Sequence, residues 1–431
     1  MTSSISRAGG LEVARQLDRH DPLASLRESF CVPHGTIYMD GNSLGLLSLP
    51  AQAAAIEALA QWREQAIGGW LEADPPWFTL GEELGRQMAP LVGAAPGSVI
   101  ATGATTVNLH NLLAAFYRPD ARRYRILADE LNFPSDIYAL RSHLAMRGRD
   151  PACDLRLVAS RDRRTLEEED IVRAMDDSVA VAILPSVLYR SGQLLDVRRL
   201  TTAAHEQGVL MGLDLSHSAG AVPHQLDADG VDFAFWCTYK YLNGGPGSTG
   251  ALYVNRRHHH LGGGLTGWWG YRKDRQFAMS LEWEAAPNAA AWQISTIPVL
   301  ATAALRGALA VTVEAGIQAI RAKSLDLTGY LMEMADAWLS GDEMGFTVGT
   351  PREPERRGGH VALEHAAAVR IVKALRARGV VPDFRPPNVI RLAPVALYNT
   401  FEDVWRVVEH LRHIVRGREY EAYEAEPDVV A

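Results

Sequence analysis

Cysteine is scarce in this chain: Cys31, Cys153 and Cys237 are an odd number, far apart, with no Cys-x-x-Cys pair. That excludes a disulfide framework and the usual cysteine zinc patterns, and it suits a reducing compartment. Long apolar runs are lacking too, since none reaches the roughly 18 residues a membrane helix needs. The opening segment, MTSSISRAGGLEVARQLDRHD, has no apolar signal core, so a soluble, cytoplasmic protein is expected. Basic charge is not in excess: 43 Lys and Arg stand against 51 Asp and Glu, a formal net charge of -8. This argues against a general binder of nucleic acid or anionic membrane and leaves a small molecule as the expected partner. His258, His259 and His260 hint at metal, but adjacent side chains diverge and no carboxylate or cysteine accompanies them, so no metal is expected. No internal repeat or low-complexity segment appears. What is present is a globular composition, 47% hydrophobic, over 431 residues. That length is too great for one simple core and suits two domains of unequal size.

The chain is organised around residues 209–248, VLMGLDLSHSAGAVPHQLDADGVDFAFWCTYKYLNGGPGS. An apolar run reads as a buried strand ending at Asp214, with His217 just beyond. A second strand-like run, Val231 to Cys237, delivers Tyr239 and Lys240 before a glycine-rich turn. Acid and lysine then sit at neighbouring strand ends, where open α/β sheets keep ligands. Such a trio suits pyridoxal 5'-phosphate, which takes a lysine for its Schiff base and an anion beside its pyridine nitrogen. Taken singly, Asp214 reads as a helix cap and Lys240 as a solvated loop lysine. Taken together, with the glycine turn, they favour the cofactor.

Strand patterns at Val99 to Thr102, Tyr124 to Ala128, Val179 to Leu184 and Gly250 to Val254 alternate with helical ones at Glu167 to Met175 and Thr201 to Gln207. This is the alternation of a largely parallel sheet with right-handed crossovers. An amphipathic helix is expected over about Gly10 to Phe30, and further helices over Pro50 to Ala66 and Gly81 to Val92. Helical periodicity from Ile297 to about Tyr330 leads into a smaller αβ layer: Phe346 to Val348, His360 to Leu363, a helix from Ala366 to Arg378, and Val389 to Leu392.

DLSHSAG, CTYKYLNGGPGS and GWWG, with YMDGNSLG at Tyr38, TVNLH, FPSD and IRLAPVALYNTFEDVW around them, resemble the kynureninases. These are fold-type I pyridoxal-phosphate enzymes that hydrolyse L-kynurenine to anthranilate and L-alanine. The resemblance covers nearly the whole chain. It implies an α/β fold of that type, with a mainly parallel seven-stranded sheet in the large domain and a smaller C-terminal α/β domain. The implied division is an N-terminal arm and substrate loop over 1–50, a large domain over 51–310, a small domain over 311–420 and a tail over 421–431. A homodimer with shared active sites is also implied.

Site residues follow in chain order. Ser43, in a turn that is otherwise only a connector, becomes a candidate substrate contact. Trp70 is either a packing anchor or a wall for an aromatic substrate. Thr105 and Thr106 open a helix after a glycine turn, a place that caps a helix or holds a phosphate, and the resemblance favours the phosphate. Phe133 in FPSD is a core phenylalanine or, as the resemblance implies, a ring stacked on the cofactor, with Ser135 and Asp136 turned to polar groups. Asp214, His217, Tyr239 and Lys240 complete the cofactor set. Glycines around Trp268 and Trp269 suggest a mobile loop, and by resemblance Trp268 and Thr296 reach the phosphate of the partner subunit. Tyr271 stands where these kynureninases carry histidine. Arg391, otherwise a strand arginine paired with a surface acid, matches the family's clamp on the substrate α-carboxylate.

The implied chemistry makes Lys240 the Schiff-base lysine and the base at Cα. Asp214 is the partner of the pyridine nitrogen, and Tyr239 the acid that protonates the carbon left after Cβ–Cγ cleavage. A 3-hydroxy- or otherwise ring-substituted kynurenine is an alternative substrate. Two remoter readings are a cysteine desulfurase-like lyase, which needs a reactive cysteine on a loop, and a non-catalytic cofactor-binding scaffold.

Overall fold

The computed structural model describes residues 9–427. Its larger body is built on a seven-stranded sheet in the order Val99–Ala101, Ala251–Val254, Phe233–Trp236, Leu210–Asp214, Val179–Pro185, Arg125–Asp129, Leu155–Val158. The pairings are parallel except those of Ala251–Val254, which runs antiparallel to both its neighbours. The central strands are continuous apolar runs because helices cover both faces. Strand periodicity divides them between two cores: Phe233 and Phe235 enter one, Ala234 and Trp236 the other. The edge strand Leu155–Val158 escapes sequence reading because Arg156 interrupts it; at the edge that arginine reaches out to Asp176 at 2.6 Å.

Helix Val299–Ala315 packs along helix Leu49–Gln65, and Gly307 is needed there because a Cβ would run into the Pro50 carbonyl. At Gly316, with φ +74°, the chain turns by 79° into helix Ile317–Trp338. Among the described residues no single helix is long and apolar enough to cross a membrane. The smaller layer is a four-stranded antiparallel sheet in the order Asp383–Arg385, Val389–Leu392, Val361–Glu364, Thr347–Val348. Its core is closed by helices Ile317–Trp338, Ala368–Ala377 and Phe401–Arg416.

The N-terminal segment joins this second core instead of standing apart. Helix Leu11–Arg19 lies on Phe401–Arg416, Ala14 and Met39 are buried there, and Ile37–Tyr38 pairs in parallel with Val380–Val381. The helix expected over Gly10 to Phe30 stops at Arg19 and resumes only as a 3-10 turn, Ala24–Ser29. Between them Pro22 disfavours helix for the residue before it, and Asp21 forms a buried ion pair with Lys323 at 2.6 Å.

Candidate active site

Parallel strands deliver their C-terminal ends to one rim of the large sheet. Asp214 ends its strand opposite Pro185 and Phe235, and Lys240 follows shortly after the next strand over. Lys240 Nζ lies 2.9 Å from His217 Nε2 and 5.9 Å from the centre of the Phe133 ring. Phe133 stays 42% exposed, so one face is free to cover a ligand, while its edge meets Tyr189 at 5.3 Å. Asp214 is buried, and its Oδ1 accepts a hydrogen bond from the Ser216 amide at 2.8 Å. Burial pushes the Asp214 carboxyl up, against the Ser216 donors and Lys240, which pull it down. Burial, and then Asp214 itself, push Asp136 well above the carboxylate range. Burial, with Lys240 next, holds His217 well below its ordinary value and therefore neutral. Tyr239 is raised by burial and by Cys237, so its phenol keeps its proton.

Above this set, helix Thr105–Phe116 opens with no side-chain cap. Its free N–H groups and the Thr105 and Thr106 hydroxyls are anion donors in waiting. Thr106 Oγ1 lies 2.8 Å from Ser135 Oγ, which brings the FPSD turn to the same place.

The DGNSLG turn is pinned to the lysine by backbone contact. Gly45 N donates to the Tyr239 carbonyl at 2.7 Å, and a Cβ on Gly45 would meet the Asn243 side chain and the Lys240 carbonyl. This carries Ser43 to Arg391, whose Nη2 donates to Ser43 Oγ at 2.8 Å. Arg391 is no surface-paired arginine: it is 1% exposed, its Nη1 donates to the Tyr189 carbonyl at 2.7 Å, and its Nη2 is ion-paired with buried Asp383. Its Nε reaches the Asn42 amide oxygen at 2.8 Å, and the Asn42 nitrogen donates to Asp40 at 3.2 Å. Burial, with Asp383 second, lifts Asp40 to about 6. Arg385 Nε pairs with Asp383 at 2.9 Å. Asn42, Asp383 and Arg385 were not singled out from sequence, although DGNSLG and DFRPPNVIRLAP hold all three.

A second cluster is aromatic. Trp70 meets Trp77 at 5.6 Å and Trp269 at 5.4 Å, and Phe78 meets Trp269 at 5.5 Å. Trp70, Phe78 and Trp269, with Trp268, Phe277 and Thr296, line a cavity of about 440 Å³. Among the described residues this cluster's ring contacts run within itself, whereas those of Phe133 and His217 run to Tyr189 and His360. One chain brings Asp214, His217, Lys240, Phe133, Ser43 and Arg391 to one rim, and Trp70, Trp268 and Thr296 line the aromatic cavity. Tyr271 is buried and bridges to Ala285 through its backbone. The glycines here serve close packing, not mobility: a Cβ on Gly267 would strike the Ile294 carbonyl and one on Gly270 the Ala291 carbonyl. His258 Nε2 donates to Asp232 at 2.6 Å and His259 faces the Val254 carbonyl at 3.1 Å, so two of the three histidines make local bonds.

The residues present fit pyridoxal phosphate. A buried carboxylate has one oxygen held by a backbone amide, an unpartnered Asp136 Oδ2 lies nearby, and a lysine and an open aromatic face border the same space. The profile of the kynureninase C-terminal domain matches residues 320–411. Kynureninase from Geobacillus thermodenitrificans is 52% identical over 421 residues, 98% of this chain and 98% of that protein. The chain belongs to the kynureninase family. Kynureninase from Bacillus cereus is 52% identical too, over 97% of this chain and 98% of its own. Among solved structures, a cysteine desulfurase from Thermococcus onnurineus superposes with a TM-score of 0.77 at 17% identity, covering 91% of this chain and 98% of that one. A cystine C–S lyase in complex with cysteine persulfide gives 0.74 at 16% identity, over 88% and 98%. Those two share the fold with this kynureninase-family chain.

Proposed function

We propose that this protein is a pyridoxal-phosphate-dependent kynureninase, hydrolysing the Cβ–Cγ bond of L-kynurenine to anthranilate and L-alanine. The observation that carries this is Lys240 Nζ, 2.9 Å from neutral His217 beside buried Asp214, in a chain 52% identical to kynureninases over nearly its full length. When bound, the cofactor supplies an electron-accepting ring conjugated to the substrate nitrogen. Lys240 would hold it, and its amine, when free, would take the proton from Cα. Asp214 would keep the pyridine nitrogen protonated, His217 and Asp136 would face the ring's polar groups, and Phe133 would lie over it. Thr105, Thr106 and Ser135 bind the phosphate. Arg391 and Ser43 receive the α-carboxylate, which takes over the Ser43 hydrogen bond. Tyr239, kept protonated by burial, would give its proton to Cβ once a water has added at Cγ and the Cβ–Cγ bond has broken, leaving its electron pair on Cβ and releasing the aromatic acid.

The reading includes a homodimer in which Trp268 and Thr296 complete the partner's phosphate site and Trp70 and Tyr271 act on the aryl ring. Support comes from the exposure of Trp62, Ile67, Leu71 and Trp268 beside the aromatic cavities, since a cluster of exposed apolar side chains marks an interaction surface. A boundary near residue 310 between the two bodies belongs to the same reading, with residues 9–50 sharing the smaller core, and so does a cytoplasmic location, supported by three free thiols. A desulfurase reading finds little support in two of the three cysteines: Cys237 is buried, and Asp150 pushes the Cys153 thiol up, the wrong direction for reactivity, which leaves Cys31 as the other exposed thiol.

The test is turnover. Cofactor-loaded protein should release anthranilate from L-kynurenine, with 3-hydroxykynurenine run beside it. Cofactor binding without either aromatic acid would leave the scaffold reading standing and defeat this one.

A further inference from the structure

His360 has no part in the chemistry just described, yet it sits against it. It immediately precedes strand Val361–Glu364, has no exposed surface, and neither ring nitrogen has a hydrogen-bond partner. Such orphaned buried nitrogens require a reason. The ring stands edge-on to His217, with centroids 5.9 Å apart and planes at 65°. Its position is fixed from behind: Gly192, at φ +75°, leaves so little room that a Cβ would lie 2.8 Å from the His360 carbonyl and 3.2 Å from Nε2. On the strand it begins, Ala362 pairs with Arg391.

His217 supplies the other half of the argument. Its Nε2 faces Lys240 Nζ at 2.9 Å, while its Nδ1 is buried and unpartnered. Burial holds both imidazoles neutral, with Lys240 and Arg391 acting in the same direction on each and Arg385 on His217 as well. A lysine ammonium only donates, so Nε2 must accept and the single ring proton lies on Nδ1. That proton needs an acceptor. Burial keeps His360 neutral, and a neutral imidazole carries a single ring proton, so one of its two nitrogens is a lone pair.

We propose that His360 is a positioning residue: its unprotonated nitrogen accepts the Nδ1 proton of His217, directly after a small ring shift or through one bound water, and so keeps Nε2 an acceptor facing Lys240. Which nitrogen of a histidine is protonated follows from the bond the other makes. The inference rests on the proposed cofactor site for its meaning, but its first readout does not need the cofactor.

The experiment is nitrogen NMR of the histidine-labelled full chain, with His217 assigned by loss of its signals in His217→Asn. The parent and His360→Gln should show His217 protonated at Nδ1, and His360→Leu should lose that preference. A parent protonated at Nε2, or an unchanged tautomer in His360→Leu, overturns the proposal. In cofactor-loaded enzyme, His360→Leu should lower kcat about ten- to a hundredfold with little change in KM, and His360→Gln should restore most of it. In a His217→Asn background the same leucine should have almost no further effect; additive losses would mean that His360 merely fills space. Should His360→Leu not fold, the parent tautomer and the glutamine variant decide. A parent that fails to turn over kynurenine defeats the functional reading and leaves the tautomer result intact.

Discussion

Removing Arg391 perturbs two things at once, and the structure lets them be separated. Arg391 and Asp383 form an ion pair with side chains 1% and 0% exposed. Arg391→Ala leaves that carboxylate buried with one partner, Arg385 Nε at 2.9 Å. Breaking a buried pair from one side costs about 3–5 kcal/mol, and the surviving Arg385 contact should bring the loss to the lower end. The proposed carboxylate clamp adds a loss in substrate affinity of about 1.5–3 kcal/mol, ten- to a hundredfold. Arg391→Ala should therefore unfold at distinctly lower urea and also bind alanine-type inhibitors weakly. The double variant Asp383→Asn with Arg391→Gln removes both charges together and should recover most of the stability without the inhibitor affinity. Urea unfolding and inhibitor titration of the cofactor-loaded variants read the two effects independently. Parental urea stability in Arg391→Ala would refute the structural role of the pair. Parental inhibitor affinity in the double variant would place the clamp elsewhere.

Three further outcomes are expected. Lys240→Ala should abolish turnover, and borohydride reduction of the parent followed by peptide mapping should mark Lys240; a label on another lysine would refute the assignment. Asp232 anchors His205, His258, Arg257 and the Met211 amide, and although burial pushes its carboxyl up, those bonds together bring it to about 2. Because the folded value lies below the unfolded one of about 4, its contribution is present above pH 4 and is lost as pH falls towards 2, so Asp232→Asn should cost roughly 2–3 kcal/mol near neutrality and little at pH 2 in denaturant titrations. Tyr271→His should alter the ratio of kcat/KM for plain and ring-substituted kynurenines by about 1–3 kcal/mol without changing cofactor affinity; equal effects on every substrate would make this buried tyrosine a support for its loop.

Sequence made the sheet legible where local and tertiary forces agree. Phe233–Trp236 is apolar throughout and Leu210–Asp214 is so up to its last residue because both faces are covered, and the polar Asp214 and Lys240 stand out at or just beyond the strand ends. It failed where tertiary contact overrides local pattern. Leu155–Val158 carries an arginine at a sheet edge, and Asp383–Arg385 carries two charges that make sense only against Arg391. His360 gave no signal at all, since a histidine before a strand has no periodicity, and its meaning lies in a ring that folding brings from far away in sequence. The helix Leu11–Arg19 was readable, but its docking on the last long helix was not, because amphipathicity reveals a buried face without naming what covers it.

The exposure of Trp268 at the aromatic cavity makes the proposed dimer more than a packing detail. Trp268 is 41% exposed and borders the cavity holding Thr296, while the face that Phe133 offers to a ligand belongs to the other cluster. If each wall completes the neighbouring site, a site takes its lysine from one subunit and Trp268 with Thr296 from the other, as an isologous two-fold contact requires. Lys240→Ala damages only the site that its own subunit anchors, whereas Trp268→Ala with Thr296→Ala damages only the site across the interface. Mixed in equal amounts and allowed to exchange, the two inactive proteins should form heterodimers with one intact site each, and about a quarter of the parental activity should return. The measurement is anthranilate release before and after exchange, with sedimentation to follow the dimer. A mixture no more active than its components, while exchange is complete, would place Trp268 and Thr296 in their own subunit's site and end the shared-site reading.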